Sequence, residues 1–179
     1  MSRPPGAPLD PPVDAVHAAR TGAFVERHFD VDDLPRLRAA TVAADGGEDA
    51  SGLDAKFAFS LFEGQPAIDG ELTGAVQMTC QRCLKQVSVP IDEAFRLVIV
   101  GDEAADPEQF GGYEPIVVDA TRLELQWLAE EQALLALPLV PLHEPGECEE
   151  APLTTPVEEP LAPGKQRPFG NLRELLKKH

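Results

Sequence analysis

Two runs of alternating hydrophobicity, residues 66–79 and 86–100, lie either side of Cys80-Gln81-Arg82-Cys83, and this arrangement constrains the fold more than any other feature of the chain. The first run carries Ile68, Leu72, Val76 and Met78. The second carries Val87, Val89 and Ile91, then Phe95, Leu97 and Ile99. A period of two is the signature of a strand with one buried face. The cysteines therefore sit in the turn of a hairpin. Gly70 and Gly74 interrupt the first run, which predicts a bulge or bend there.

The pattern extends on both sides. Leu53, Ala55, Phe57, Phe59 and Leu61 alternate over residues 53–63. Residues 36–44 alternate less cleanly, with Gly46-Gly47 as a turn between the two. Residues 114–118 read as a short strand, and residues 14–21 as the start of a short helix. From Arg122 the period changes: Leu123, Trp127, Glu130-Glu131, Leu134 and Leu137 suit a helix. Thr121 with Glu124 three residues on reads as a capping box, and Pro138 and Pro141 end the helix. The fold class is α+β: a mainly antiparallel sheet or partly open barrel from residues 36–118 and one central helix near 122–137.

The ends differ from this middle. Eighteen prolines are many for 179 residues, and they cluster at 4–12 and 138–168. Residues 1–13 read as a flexible N-terminal segment, 14–142 as the α+β domain, and 143–167 as an acidic Pro-rich linker. Residues 168–179 read as a C-terminal amphipathic helix with Phe169, Leu172, Leu175 and Leu176 on one face, a candidate docking element.

Charge narrows the partners. Formal net charge is −16. Residues 102–163 hold 15 acids against Arg122 alone, whereas residues 164–179 hold 5 bases against Glu174. Nucleic-acid affinity comes chiefly from Lys and Arg displacing counterions. Such a chain should not grip bare RNA or DNA tightly, and a basic protein partner suits it better. An acidic surface that only confers solubility is the simpler account. The first 20 residues lack the apolar stretch of a secretory signal, and no run of about 18 apolar residues could cross a membrane. With three cysteines and no signal, the expectation is a cytoplasmic protein without structural disulfides.

Two residues between Cys80 and Cys83 let both sulfurs face one tetrahedral metal. That is half of a structural zinc site. His143 and Cys148, after the Pro-marked helix end, are the candidates for the other half, giving Cys80, Cys83, His143 and Cys148. The competing accounts are small buried residues without metal, and redox chemistry. A redox pair wants its first cysteine at a helix N-terminus, where the dipole lowers its pKa, yet a strand pattern follows Cys83. Arg82 and Lys85, with Arg96, are candidates for a small basic partner-binding spot; local pairing with Glu63, Glu71 or Asp92 is the plainer account. No Gly-rich phosphate loop, nucleophile elbow or H-E-x-x-H is present, and no nucleophile, base and orienter assemble. The expectation is a protein that is not an enzyme.

Several pieces together resemble a known family. They are residues 78–84 (Met-Thr-Cys-Gln-Arg-Cys-Leu), Tyr113-Glu114-Pro115-Ile116, residues 130–137 leading into Leu137-Pro138-Leu139-Val140-Pro141-Leu142-His143, Cys148, and Arg167-Pro168-Phe169 with Leu172. This series, from about residue 55 to 179, is similar to the bacterial YceD family of large ribosomal RNA subunit accumulation proteins. The resemblance implies a role in synthesis, processing or stability of 23S rRNA, with no catalytic residues to carry over and no cofactor usually described; zinc is the cofactor that the residues themselves suggest. Combined with the charge, it gives the leading expectation. This is a non-enzymatic factor in large-subunit biogenesis that meets a basic large-subunit ribosomal protein or pre-ribosomal particle, with only weak or indirect association with 23S rRNA and no binding to membrane or DNA. The alternatives are a zinc-stabilised protein-binding module, or a CxxC redox protein, unrelated to ribosomes.

Overall fold

The computed structural model describes residues 11–43, 52–101 and 107–148. The chain order is α1 (Ala15–Thr21), β1 (Phe24–Asp30), α2 (Pro35–Ala40), β2 (Gly52–Phe62), β3 (Gln65–Thr79), β4 (Gln86–Val100), β5 (Glu114–Val117) and α3 (Leu125–Ala136). One five-stranded sheet has the order β1-β2-β3-β4-β5. Its first three pairings are antiparallel and the last, β4 with β5, is parallel. The fold is α+β with a mostly antiparallel sheet. The sheet is open, because β1 and β5 are its edges rather than partners in a barrel.

The hairpin predicted around the cysteines is the centre of the sheet. Phe57, Gly70 and Phe95 stand in one cross-strand row, and Phe59, Ile68 and Leu97 in the next. These rows share the face covered by the helices. Phe29, Leu34, Leu37, Leu53, Phe57, Ile68, Leu72, Leu97 and Leu128 are buried there, with Ala15, Ala18, Ala129 and Ala133 letting the helices approach. The opposite face has a smaller apolar cluster of Ala67, Val98, Val100 and Tyr113, flanked by Phe62 and Phe110. Arg96 lies 4.0 Å over the Tyr113 ring and donates to Asp69 at 2.9 Å.

Gly70 and Gly74 produce no bulge, since both ladders pair residue for residue through them. Their role is clearance. A Cβ on Gly70 would lie 2.1 Å from Cζ of Phe95, and one on Gly74 would lie 2.3 Å from the Gly52 carbonyl oxygen. The Phe95 ring therefore lies flat across the strand and reaches Phe57, with ring centroids 6.2 Å apart.

Other expectations change. The sheet begins at Phe24, not at residue 36. The strand β1 is mostly polar and buries only Phe29, so its alternation is faint; pairing with the edge of β2 makes it a strand. Residues 36–40, taken for imperfect alternation, are helical: Pro35 opens α2 and Leu37 is buried. Thr121 is not the cap of α3, which begins at Leu125; the Thr121 amide and hydroxyl both donate to Asp119 Oδ1 in a tight turn. The buried face of α3 is Leu125, Leu128, Ala129 and Ala133, while Trp127 is partly exposed.

Among the described residues, Glu130 is the one buried charged side chain, at 5% exposure. Its Oε1 accepts from the backbone amides of Arg36 at 2.7 Å and Leu37 at 3.2 Å. A carboxylate from α3 thus satisfies the first amides of a helix whose own preceding residue, Leu34, offers no cap. Glu131 pairs with the Arg36 guanidinium beside it. Among the described residues, no helix is long and apolar enough to cross a membrane.

Candidate metal centre

At the far end of the central hairpin the chain makes a turn that its own amides organise. The Cys80 amide donates to the Lys85 carbonyl at 2.8 Å, and the Leu84 amide returns to the Cys80 carbonyl at 2.9 Å. Leu84 closes the turn at φ 61°, a backbone that favours glycine or asparagine. Beyond α3, Pro138 and Pro141 forbid further helix, and the chain folds back across this turn. The Gln81 amide donates to the Pro141 carbonyl at 2.9 Å. A second turn, with Gly146 at φ 95° and the Glu147 amide donating to the Glu144 carbonyl at 3.1 Å, then brings Cys148 back toward His143.

The result places Cys80, Cys83, His143 and Cys148 together, all four ligand atoms within 4.8 Å of one another. Cys80 Sγ is 3.7 Å from Cys148 Sγ; His143 Nδ1 is 3.4 Å from Cys83 Sγ and 3.6 Å from Cys148 Sγ. With zinc–sulfur bonds of about 2.3 Å and zinc–nitrogen bonds of about 2.0–2.1 Å, the edges of a tetrahedral site are roughly 3.8 Å between sulfurs and 3.6 Å between sulfur and nitrogen. These three separations match those edges. The three sulfurs are free thiols. The cluster could hold a metal ion. Its soft donors suit zinc rather than calcium or magnesium.

The electrostatics favour a cation. Burial alone would raise the Cys80 thiol, but the amides of Cys83, His143 and Arg82 point at its sulfur and, with the His143 ring, bring its pKa down to about 5. Cys83 goes the other way. The Lys85 amide favours its thiolate, yet burial and the neighbouring sulfurs of Cys80 and Cys148 push its pKa up. A thiol held protonated by neighbouring sulfurs, as Cys83 is, is a state a divalent ion relieves.

Arg82 completes the surroundings. Its Nε donates to Cys148 Sγ at 2.9 Å, and its terminal nitrogen to the carbonyls of His143 at 2.9 Å and Glu144 at 3.5 Å. Cys148 and the other sulfurs raise the Arg82 pKa in turn. Three thiolates around one dication would leave net negative charge, against which this guanidinium would sit. The structure places Arg96 apart from Arg82 and Lys85, the other two residues of the expected basic spot. Arg82 is turned onto the cluster, Arg96 is engaged with Tyr113 and Asp69 on the other face, and Lys85 remains exposed beside Leu84. Of Glu63, Glu71 and Asp92, the local partners expected for this spot, Glu71 pairs with Lys56 at 3.1 Å, and Arg96 pairs with Asp69.

The redox reading lacks its structural requirement, since Cys80 follows a strand and no helix starts at the turn. Nothing local marks Arg82's role beyond its position between two cysteines. The second candidate set, Phe169, Leu172, Leu175 and Leu176, lies outside the described residues, as do most of the acidic linker and of residues 1–13.

Residues 68–176 match the family model described as Large ribosomal RNA subunit accumulation protein YceD. No solved structure matches the chain.

Proposed function

The chain belongs to the YceD family, whose model covers more than half of it, and from that premise we propose a zinc-stabilised, non-enzymatic factor that supports 23S rRNA accumulation during large-subunit biogenesis. The observation that carries this reading is the four-ligand cluster. Cys80, Cys83, His143 and Cys148 would hold the zinc. When bound, the ion supplies a structural cross-link. Four protein ligands leave no coordination position for a substrate, the mark of structural rather than catalytic sites. The cross-link ties a segment rich in acids and prolines to the tip of the central hairpin.

The charge supports the mode of action. From Leu123 to Gly164 the sequence has nine acids and no Lys or Arg. Such a surface meets cationic protein more readily than phosphate. The factor would act on the ribosomal particle through its basic proteins, and touch rRNA weakly or indirectly.

Two measurements test this. Metal analysis of purified protein should find one zinc per chain, lost in Cys80→Ser. Pull-downs at low and high salt, with protein and RNA both identified, should recover large-subunit proteins in a salt-sensitive manner. Tight binding of the isolated chain to protein-free 23S rRNA at physiological ionic strength would refute the mode of action.

A further inference from the structure

The surface around the metal centre carries apolar side chains that the fold does not use. Among the described residues nine large hydrophobic side chains are exposed, and four of them are Leu84, Leu139, Val140 and Leu142. Leu139 is 96% exposed and Leu84 77%. The four come from two segments that the centre holds together. Leu84 follows Cys83 and Leu142 precedes His143, and the Sγ and Nδ1 of those two ligands are 3.4 Å apart. Scattered exposed leucines are ordinary; several on two clamped loops are a surface feature that asks for a partner.

Leu84 adds a second argument. Its φ of 61° is a conformation in which leucine is disfavoured against glycine or asparagine. Packing does not explain the choice, because the side chain points into solvent. A strained position that nonetheless holds a large exposed hydrophobe fits a contact made to another molecule.

We propose that Leu84, Leu139, Val140 and Leu142 form the docking site for a cationic amphipathic segment of a partner protein, apolar residues flanked by Lys or Arg. This rests on the reading of the chain as a protein-binding assembly factor. Charge complementarity selects the occupant. Glu144 and Glu147 are exposed on the same strap, Glu149 and Glu150 follow in sequence, and Arg82 is engaged with Cys148 and two carbonyls. Against these stands Lys85, exposed at the rim. Aliphatic side chains in an acidic frame offer RNA neither phosphate neutralisation nor stacking. A second copy of the chain would bring the same negative charge to the contact.

The test uses the full-length, zinc-loaded protein. Its probes are individually purified large-subunit ribosomal proteins and, separately, protein-free 23S rRNA. Wild type should bind one or more of the basic proteins at physiological ionic strength. The triple variant Leu84→Asn, Leu139→Ser, Val140→Ser should bind at least tenfold more weakly, with zinc content and melting temperature kept. Glu144→Gln with Glu147→Gln should weaken binding less and flatten its salt dependence. A triple variant that binds as wild type does overturns the docking site while leaving the proposed function standing. Wild type that binds only rRNA, or nothing, overturns both. Self-association in sedimentation that the triple variant abolishes, with protein binding untouched, would assign the surface to a second copy and overturn the proposal.

Discussion

The helix-covered core and the cysteine turn are both built on β3 and β4, yet they are closed by different physics. In the core, Phe57, Ile68, Leu72 and Leu97 lie under α1 and α3, and many small contacts add up. Removing one is felt in proportion to the area and cavity involved. At the turn, the two segments meet through four ligand atoms at set separations, through Arg82 donating to the Cys148 sulfur and to the His143 and Glu144 carbonyls, and through a backbone hydrogen bond from Gln81 to Pro141. The core hides its hydrophobic residues, whereas the turn exposes Leu84, Leu139 and Val140. A region that a metal ion would tie together can leave its apolar side chains outside, because it does not need them for its own stability.

The largest effect that would sharpen this contrast comes from the ligands. Cys80→Ser, or a strong chelator, should remove the zinc and cost about 2–5 kcal/mol, comparable to losing a native cross-link from a small domain. Amide exchange should rise first at residues 141–148 and much less in β2 and β3. Uniform loss across the sheet would break the distinction between the regions.

Glu130→Ala should act on the other side of the comparison. Two amides of α2 lose their buried acceptor, at a cost of roughly 2–3 kcal/mol. Zinc content should be unchanged, exchange should rise at Arg36 and Leu37, and Glu130→Gln should recover part of the loss. A drop in bound zinc would show that the two regions are coupled through α3.

Leu84→Asn carries the opposite sign. Asparagine tolerates the left-handed backbone, so melting temperature should hold or rise, by up to about 1 kcal/mol in stability, with zinc retained. A clear destabilisation would mean that the leucine does pack.

The smallest effect belongs to neither region. On β1, the hydrogen bond from His28 to Asp54 at 2.8 Å raises the pKa of His28 above its ordinary value, with Asp30 3.6 Å away. A raised folded pKa contributes stability that is full below the unfolded value of about 6.5 and fades as pH rises through the folded value. The side chain is 56% exposed, so the loss should be no more than a few tenths of a kcal/mol. Urea melts at stepped pH would detect it, and His28→Asn should flatten it. A pH slope of a kcal/mol or more that His28→Asn left unchanged would place the titration elsewhere, with the thiols as the first place to look.

Local periodicity and fixed residue offsets are enough to specify the hairpin, the strands flanking it, the central helix and the cysteine spacing. Ile68, Leu72 and Val76 alternate whatever lies above them. Proline punctuation likewise marked where the chain must leave α3. Long-range contacts were needed to make the polar run at residues 24–30 a strand and residues 35–40 a helix, and to bury Glu130 rather than leave it solvated. Each of those depends on a partner far away in the chain: β2 for β1, and a carboxylate 94 residues on for the first amide of α2. The same holds for Arg82. Its residue type announced a cation for an outside partner, but whether it faced outward rested on where the returning strap placed Cys148 and the His143 carbonyl. Local sequence sets which conformations are cheap; non-local hydrogen bonds and ligand geometry choose among them.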